Sequence, residues 1–397
     1  MLARHLASAR QVLTVGTDLV LQRYPRALYR REAPARELPA VFCFHSAAPE
    51  PFAAVLGFLA RNRYRTLIAD ELHDLMTGAA RETGGRSVLL TFDDGVREVW
   101  SIVHPLLKRH GLRATCFVVP GRIEDAAAVR PTLEDVWQGR ASLTEVVTRD
   151  DGPPLATWPE IAAMAASGVI DIQCHSFDHR LVFTSPRIMG FVSPQALATF
   201  HPFEFAMFGE QRPTLGSPIY PSAPRLGARR AFRPDPGLAA DCVALVEQEG
   251  GAAFFARADW RRRLHARVGE RRRAGPLAES HESEAERRHA IATDLRRAKA
   301  AIEARLPGHR VRHLAFPWGE GSAAAVDAAR ESGYEACFWG KVDGRLTNQA
   351  GGDPMRIARI GEDFVRSLPG DGRIPLRRVV AGKLERRLRQ GAPYLSH

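Results

Sequence analysis

LLTFDDG, residues Leu89 to Gly95, runs from an apolar stretch straight into two adjacent carboxylates and a glycine. The run that leads into it, SVLLTF (87–92), reads as a buried strand, and Asp-Gly is ordinary turn chemistry. A single Asp in that position would cap a helix. Two acids side by side repel, so something must make the pair tolerable. A metal ion does so, and such an ion needs further ligands elsewhere in the chain.

Outward from this strand, β-rich runs alternate with helical spacing. AVFCFH (40–45) precedes the amphipathic PFAAVLGFLARNRY, and VREVWSIVHPLLKRHG follows the two acids, with Gly111 where a helix stops. Next come a strand RATCFVV (113–119), a helix over about 158–167 ended by Ser167-Gly168, and a strand VIDIQCH (169–175). Much later the helical run AERRHAIATDLRRAKAAIEARL (285–306) leads to a strand RHLAFP (312–317). A helix through AAAVDAARESG and a strand EACFWG (335–340) complete the set. Alternation at this spacing predicts a parallel α/β fold, open or closed into a barrel. Between about 180 and 280 the pattern breaks into proline-rich loop sequence, read as an insertion with helices near 238–272. A second long excursion covers about 120–157. Long loops in a compact domain tend to be functional covers or disordered segments.

With 397 residues, 45% hydrophobic and 25% charged, the chain has the composition of a soluble globular protein with a sizeable core. No window approaches eighteen uninterrupted apolar residues. The apolar stretches of the N-terminus are broken by Arg10, Asp18 and Gln22, unlike a secretory signal, so a cytoplasmic location is expected. Cys43, Cys116, Cys174, Cys242 and Cys337 are sparse and odd in number, which suits buried free thiols better than a disulfide framework. The net charge of +11 is carried in arginine bursts such as WRRRLHARVGERRR. No zinc-finger, recognition-helix or RNA-recognition signature accompanies them, so specific nucleic-acid binding is not expected. A solvated arginine-rich surface is the preferred reading, then contact with an anionic bilayer, to which the basic face of 4–31 would lend itself, or with a diphosphate-linked substrate, and nucleic acid third.

The further ligands the acids require appear after the fourth strand, in CHSFDHR, as His175 and His179. Histidines at i and i+4 lie on one face of a helical turn, where both imidazoles can reach one cation. Taken alone, His-x-x-x-His is usually coincidence and Asp-Asp-Gly usually a turn. Each stands here at a strand end of an alternating α/β chain, and such ends share one mouth. An acid with two histidines makes a three-ligand site for Zn²⁺ or a similar divalent ion.

TFDDG and HSFDH together resemble the first two motifs of the polysaccharide deacetylases, carbohydrate esterase family 4. VFCFH is similar to the opening strand of many members, and the stretch from DLRRAKAAIEARL through LAFPWG to CFWG is similar to the helix-strand-helix of the third motif. The resemblance covers roughly 38–180 and 285–365. It implies a distorted (β/α) barrel from those two segments, with 1–37 as a basic N-terminal extension, 181–284 as the loop-rich insertion and 366–397 as a basic C-terminal tail. It further implies metal-dependent removal of an N-acetyl group from an amino-sugar in a glycan. By position, Asp93 would be the general base, and Asp94, His175 and His179 would hold the metal, most readily Zn²⁺. Pro317 and Trp318 would wall the sugar pocket, Trp318 being weighed evenly against plain core packing.

Two positions depart from the family pattern. Leu314-Ala315 stand where many members carry an arginine that orients the base. The region of RIARIGEDF (356–364) offers no imidazole where a late histidine usually acts as general acid. The proton could then come from His201, His45 or Asp93 acting twice. The alternatives are a catalytically weak glycan-binding protein on the same fold, and an amidohydrolase acting on a non-sugar amide.

Overall fold

The computed structural model describes residues 17–18, 21–29, 38–81, 86–148, 153–199, 207 and 213–390. The chain divides into two compact units. One takes in Met1–Phe177, Leu295–Gly319 and Ala329–His397, the other Asp178–Asp294 and Glu320–Ala328.

The first unit is built on a sheet of nine parallel strands: β1 (Ala40–Phe44), β2 (Arg65–Leu67), β3 (Ser87–Phe92), β4 (Ala114–Val118), β5 (Ile170–Cys174), β6 (His313–Ala315), β7 (Ala336–Trp339), β8 (Ile357–Ala358) and β9 (Ile360–Gly361). Strand β3 pairs with β1 along its whole length on one edge. Its other edge is shared, with β2 beside its first half and β4 beside its last two residues. From β4 the order continues through β5, β6 and β7 to β8. The run 357–361 then closes the ring. Ile357 and Ala358 pair with β7, while Ile360 and Gly361 pair with β1, and only Arg359 separates the halves. The result is a distorted, nearly closed (β/α) barrel.

Parallel strands are covered on both faces, which is why β3 and β4 are apolar almost throughout and buried. Side chains alternate between the faces. Val41, Leu89, Phe117, Ala315, Phe338 and Ile357 belong to one buried cluster. On the other face Phe44 stacks on Phe92 at 4.9 Å between centroids, and both meet the edge of Phe52 from helix α1 (Pro49–Arg61). Leu89, Thr91 and Asp93 share the face of the first cluster, so the strand that fills the barrel below delivers a carboxylate at its end. Helices α2 (Ala69–Thr77), α3 (His104–His110) and α4 (Trp158–Ala166) follow β2, β3 and β4. A π-helical turn, Val99–Val103, leads into α3, and Gly111 ends it in the left-handed conformation.

The second unit has its own core. Helices α5 (Pro236–Gln248) and α6 (Trp260–Ala274) bring Leu238, Cys242, Val246, Leu264 and Val268 together with Phe191 and Phe254. Asp235 caps α5 by accepting from the Leu238 N–H at 2.6 Å. The arginines of α6 are largely matched: Arg263 pairs with Glu249, Arg262 with Asp259 and Arg267 with Glu270. Helix α7 (Glu284–Arg305) leads back to β6. Among the described residues no helix is long and apolar enough to cross a membrane.

Candidate active site

The two acids that end β3 are separated by the backbone. Asp93 still belongs to the sheet, its N–H donating to the Phe44 carbonyl at 2.9 Å. Asp94 then takes a left-handed φ of +68° and Gly95 one of +73°. The chain turns sharply, so the two carboxylates leave it in different directions. Glycine is favoured at 95 by this left-handed φ, and a Cβ there would press to 3.0 Å on Cγ1 of Val118 on β4.

Asp93 is 2% exposed and is held by Arg359, whose Nη1 and Nη2 donate to its two carboxylate oxygens at 2.6 and 2.8 Å. Arg359, 4% exposed, is the residue between β8 and β9. The Cys43 thiol donates to Oδ2 of Asp93 at 3.5 Å, and burial pushes that thiol up, which keeps its proton in place. Burial alone would raise the Asp93 carboxyl. The Arg359 guanidinium, with His175 and His45 adding to it, overrides this and holds it well below the usual carboxylate range.

His175 continues the ladder of β5, its N–H donating to the Val118 carbonyl at 2.9 Å. Its Nδ1 lies 2.9 Å from the Ala315 carbonyl on β6. A carbonyl only accepts, so Nδ1 carries the proton and Nε2 is left with a lone pair. That Nε2 faces the acids, 3.6 Å from Oδ1 of Asp94 and 3.8 Å from Oδ2 of Asp93. The segment 175–179 is not the helical turn that its spacing suggests. It is a loop in which Ser176 and His179 take left-handed φ values of +65° and +55°. The i, i+4 imidazoles meet all the same, through that local fold of the chain. Asp94, His175 and His179 are all buried, and each offers a donor atom within 4.8 Å of the others. One carboxylate and two imidazoles, with one tautomer set by a carbonyl behind it, suit a divalent ion such as Zn²⁺ with positions left for water and substrate.

A second group, Cys43, His45 and Asp93, is equally close-set. It reads as a hydrogen-bonded cluster, since both Asp93 oxygens are engaged by a guanidinium whose charge would repel a cation placed there. His45 ends this group at the exposed side, one residue beyond β1. His201 lies outside the described residues. Pro317 and Trp318 follow β6, at the same end of the barrel as the acids. Trp318 is half-buried in a left-handed conformation of φ +60°, next to Gly319, which packs on Gly340.

Two of these positions bear on the departures noted in the sequence. The arginine missing before FPWG has a counterpart, Arg359, supplied by the closing strand to the same carboxylate. The run 356–364 carries no imidazole, but β9 pairs with β1, whose end leads into His45, grouped with Cys43 and Asp93. A signal for Arg359 was present: an arginine inside the apolar run IARIG needs a buried carboxylate. His45 was visible as the last residue of VFCFH, but its nearness to Asp93 depends on β1–β3 pairing.

The family model described as polysaccharide deacetylase matches residues 80–195. A Bacillus subtilis (strain 168) protein named "Putative polysaccharide deacetylase YxkH" is 32% identical over 101 residues. That alignment takes in 23% of this chain and 35% of the relative's length. Solved structures that are similar include a de-N-acetylase from Aggregatibacter actinomycetemcomitans, at 15% identity, 87% of this chain, 98% of that one and a TM-score of 0.49. IcaB from Ammonifex degensii is another, at 17% identity, 85% and 98% coverage and a TM-score of 0.47. The segment that carries this similarity, 80–195, contains Asp93, Asp94, His175 and His179.

Proposed function

We propose that this chain is a metal-dependent N-deacetylase that hydrolyses the acetamido group of an amino-sugar within a glycan. The observation that carries the reading is one buried cluster in which Asp93, clamped by Arg359, stands beside Asp94, His175 and His179. The last three would hold the divalent ion, most readily Zn²⁺. Bound there, such an ion would supply Lewis acidity for the acetyl carbonyl and for the attacking water.

Asp93 accepts the proton of the attacking water. Oδ2 accepts from both Arg359 and Cys43, but Oδ1 keeps a lone pair beyond the one Arg359 engages, so the clamp orients the carboxylate without blocking it. Water adds to the acetyl carbon, the C–N bond breaks, and acetate leaves. The amine nitrogen needs a proton as it departs. We assign that donation to His45, which is grouped with Asp93 and open to solvent. Trp318 offers a face on which a sugar ring can rest.

Arg359, at the Asp93 carboxylate, and His45, grouped with it, support this reading over a non-catalytic glycan-binding protein. We extend the proposal to a cytoplasmic setting and to contact of the basic segments with anionic lipid. The N-terminal part of those segments lies mostly outside the described residues.

The test is zinc stoichiometry after loading and dialysis, together with acetate release from a panel of N-acetylated oligosaccharides. The wild type should keep about one ion, and His175→Ala with His179→Ala none. Asp93→Asn should keep the ion and lose acetate release by about 100-fold or more. Full acetate release by Asp93→Asn would remove the base from the mechanism. Absence of bound metal in well-folded wild type would remove the reaction.

A further inference from the structure

The loop that carries both histidines holds two non-glycine residues, Ser176 and His179, in the left-handed region. Such a conformation persists only where the surroundings impose it. The His175 end is fixed by the sheet and by Ala315. One contact that holds the middle plays no part in the chemistry described above.

Gly121 lies in a single 3-10 turn, Pro120–Arg122, just after β4. Its N–H donates to the Phe177 carbonyl at 2.7 Å. A Cβ at 121 would come 2.5 Å from Cε1 of Phe177, 2.7 Å from its Cδ1 and 2.6 Å from its carbonyl oxygen. Real Cβ atoms do not approach that closely, so only glycine permits this seat. The Phe177 ring is also covered by Arg297 of α7, whose guanidinium carbon is 3.7 Å from the ring centroid. Arg297 is exposed, so its cost of desolvation is small. Phe177 sits two residues after His175 and two before His179, at the midpoint of the loop.

We propose that Gly121 and Arg297 form a latch that seats Phe177 and thereby positions the His175–His179 loop for a divalent cation. This rests on the reading of Asp94, His175 and His179 as the metal ligands. Gly121 and Arg297 are positioning residues and touch neither ion nor substrate. Their effect is to hold the loop in its metal-binding shape before the ion arrives, so that binding does not have to remodel it.

The experiment is competition for Zn²⁺ between the full chain and a chelator of known affinity, paired with the melting temperature of the metal-free protein. Gly121→Ala should weaken Zn²⁺ binding by about 10- to 100-fold, the range found when groups that orient metal ligands are removed. Arg297→Ala should weaken it less than Gly121→Ala does. If Gly121→Ala fails to fold, Phe177→Ala carries the test, since it keeps the hydrogen bond from Gly121 and removes the seated ring; it too should bind Zn²⁺ more weakly. Wild-type affinity in the folded variants overturns the latch, as does a lowered metal-free melting temperature with unchanged affinity. A wild type that binds no Zn²⁺ overturns the ligand assignment itself, and the latch with it.

Discussion

At residue scale, the Arg359–Asp93 pair concentrates the electrostatic risk of the site. Both groups are almost wholly buried, and each is tolerable only because of the other. Removing one partner of a buried pair typically costs about 3–5 kcal/mol, because a bare charge is left behind. Arg359→Ala should therefore destabilise the protein by about that amount in urea titrations of the metal-free form. Adding Asp93→Asn to it should restore much of the loss. A double variant no more stable than the single one would show that Arg359 acts through packing instead. A second pair, toward the start of β6, has a pH signature. His313 Nε2 lies 2.6 Å from Oδ1 of Asp70, and Nη1 of Arg312 is 2.9 Å from the same atom. The hydrogen bond with His313 leads the causes that lower the Asp70 carboxyl, against the opposing effect of burial. A depressed carboxyl contributes stability above its unfolded pKa and loses it as the pH falls through the folded one. The advantage of wild type over Asp70→Asn in urea midpoint should be full at pH 7 and fade below about pH 4. An advantage that persists unchanged at pH 3 would exclude the linkage.

At the scale of elements, the sharpest constraint is the crossing of Gly319 and Gly340, where the turn after β6 meets the end of β7. Gly319 has φ +67°, and a Cβ on it would lie 3.0 Å from Cα and N of Gly340, both backbone atoms that cannot step aside. Gly319→Ala should cost about 1–3 kcal/mol in urea midpoint and disturb Trp318 fluorescence. An Ala variant as stable as wild type would show that the turn can relax. This scale also shows which elements could be read from sequence. The strands read at 87–92, 113–119, 169–175 and 335–340 occur at Ser87–Phe92, Ala114–Val118, Ile170–Cys174 and Ala336–Trp339. The helix read at 285–306 is Glu284–Arg305. Each is a long apolar or periodic run, and such runs declare themselves. Strands β2, β8 and β9 did not, because three or two residues carry no period, and their pairing depends on distant neighbours. Arg359 was missed for the same reason: a closing strand interrupted by a charge looks like loop. The helical turn expected at 175–179 failed on different grounds. An i, i+4 spacing does not distinguish a helix from a loop that doubles back, and only the φ values of Ser176 and His179 separate them.

At the scale of the whole molecule, the net charge of +11 is the property most open to experiment. Several arginines of α6 are matched by neighbouring carboxylates, so the charge is less concentrated than the sequence bursts suggest. Adsorption to polyanions should accordingly be electrostatic and weak. Flotation with vesicles rich in anionic lipid should be measurable at low salt and reduced several-fold at 0.5 M salt, where the Debye length is below about 8 Å. Flotation that ignores salt would point to insertion of apolar groups instead.

The split of residues 357–361 between two neighbours has a consequence in time. Asp93 and its guanidinium partner are 266 positions apart in the chain, and β9 joins a strand formed at residue 42. Contacts of such span are slow to form, because the loop entropy must be spent before they give anything back. On the ribosome the first strands emerge long before Arg359 exists, so the carboxylate must wait in water or hold a proton. Ring closure and the clamping of Asp93 are then a single late event, and a chain caught before it has most of its strands but no clamped carboxylate.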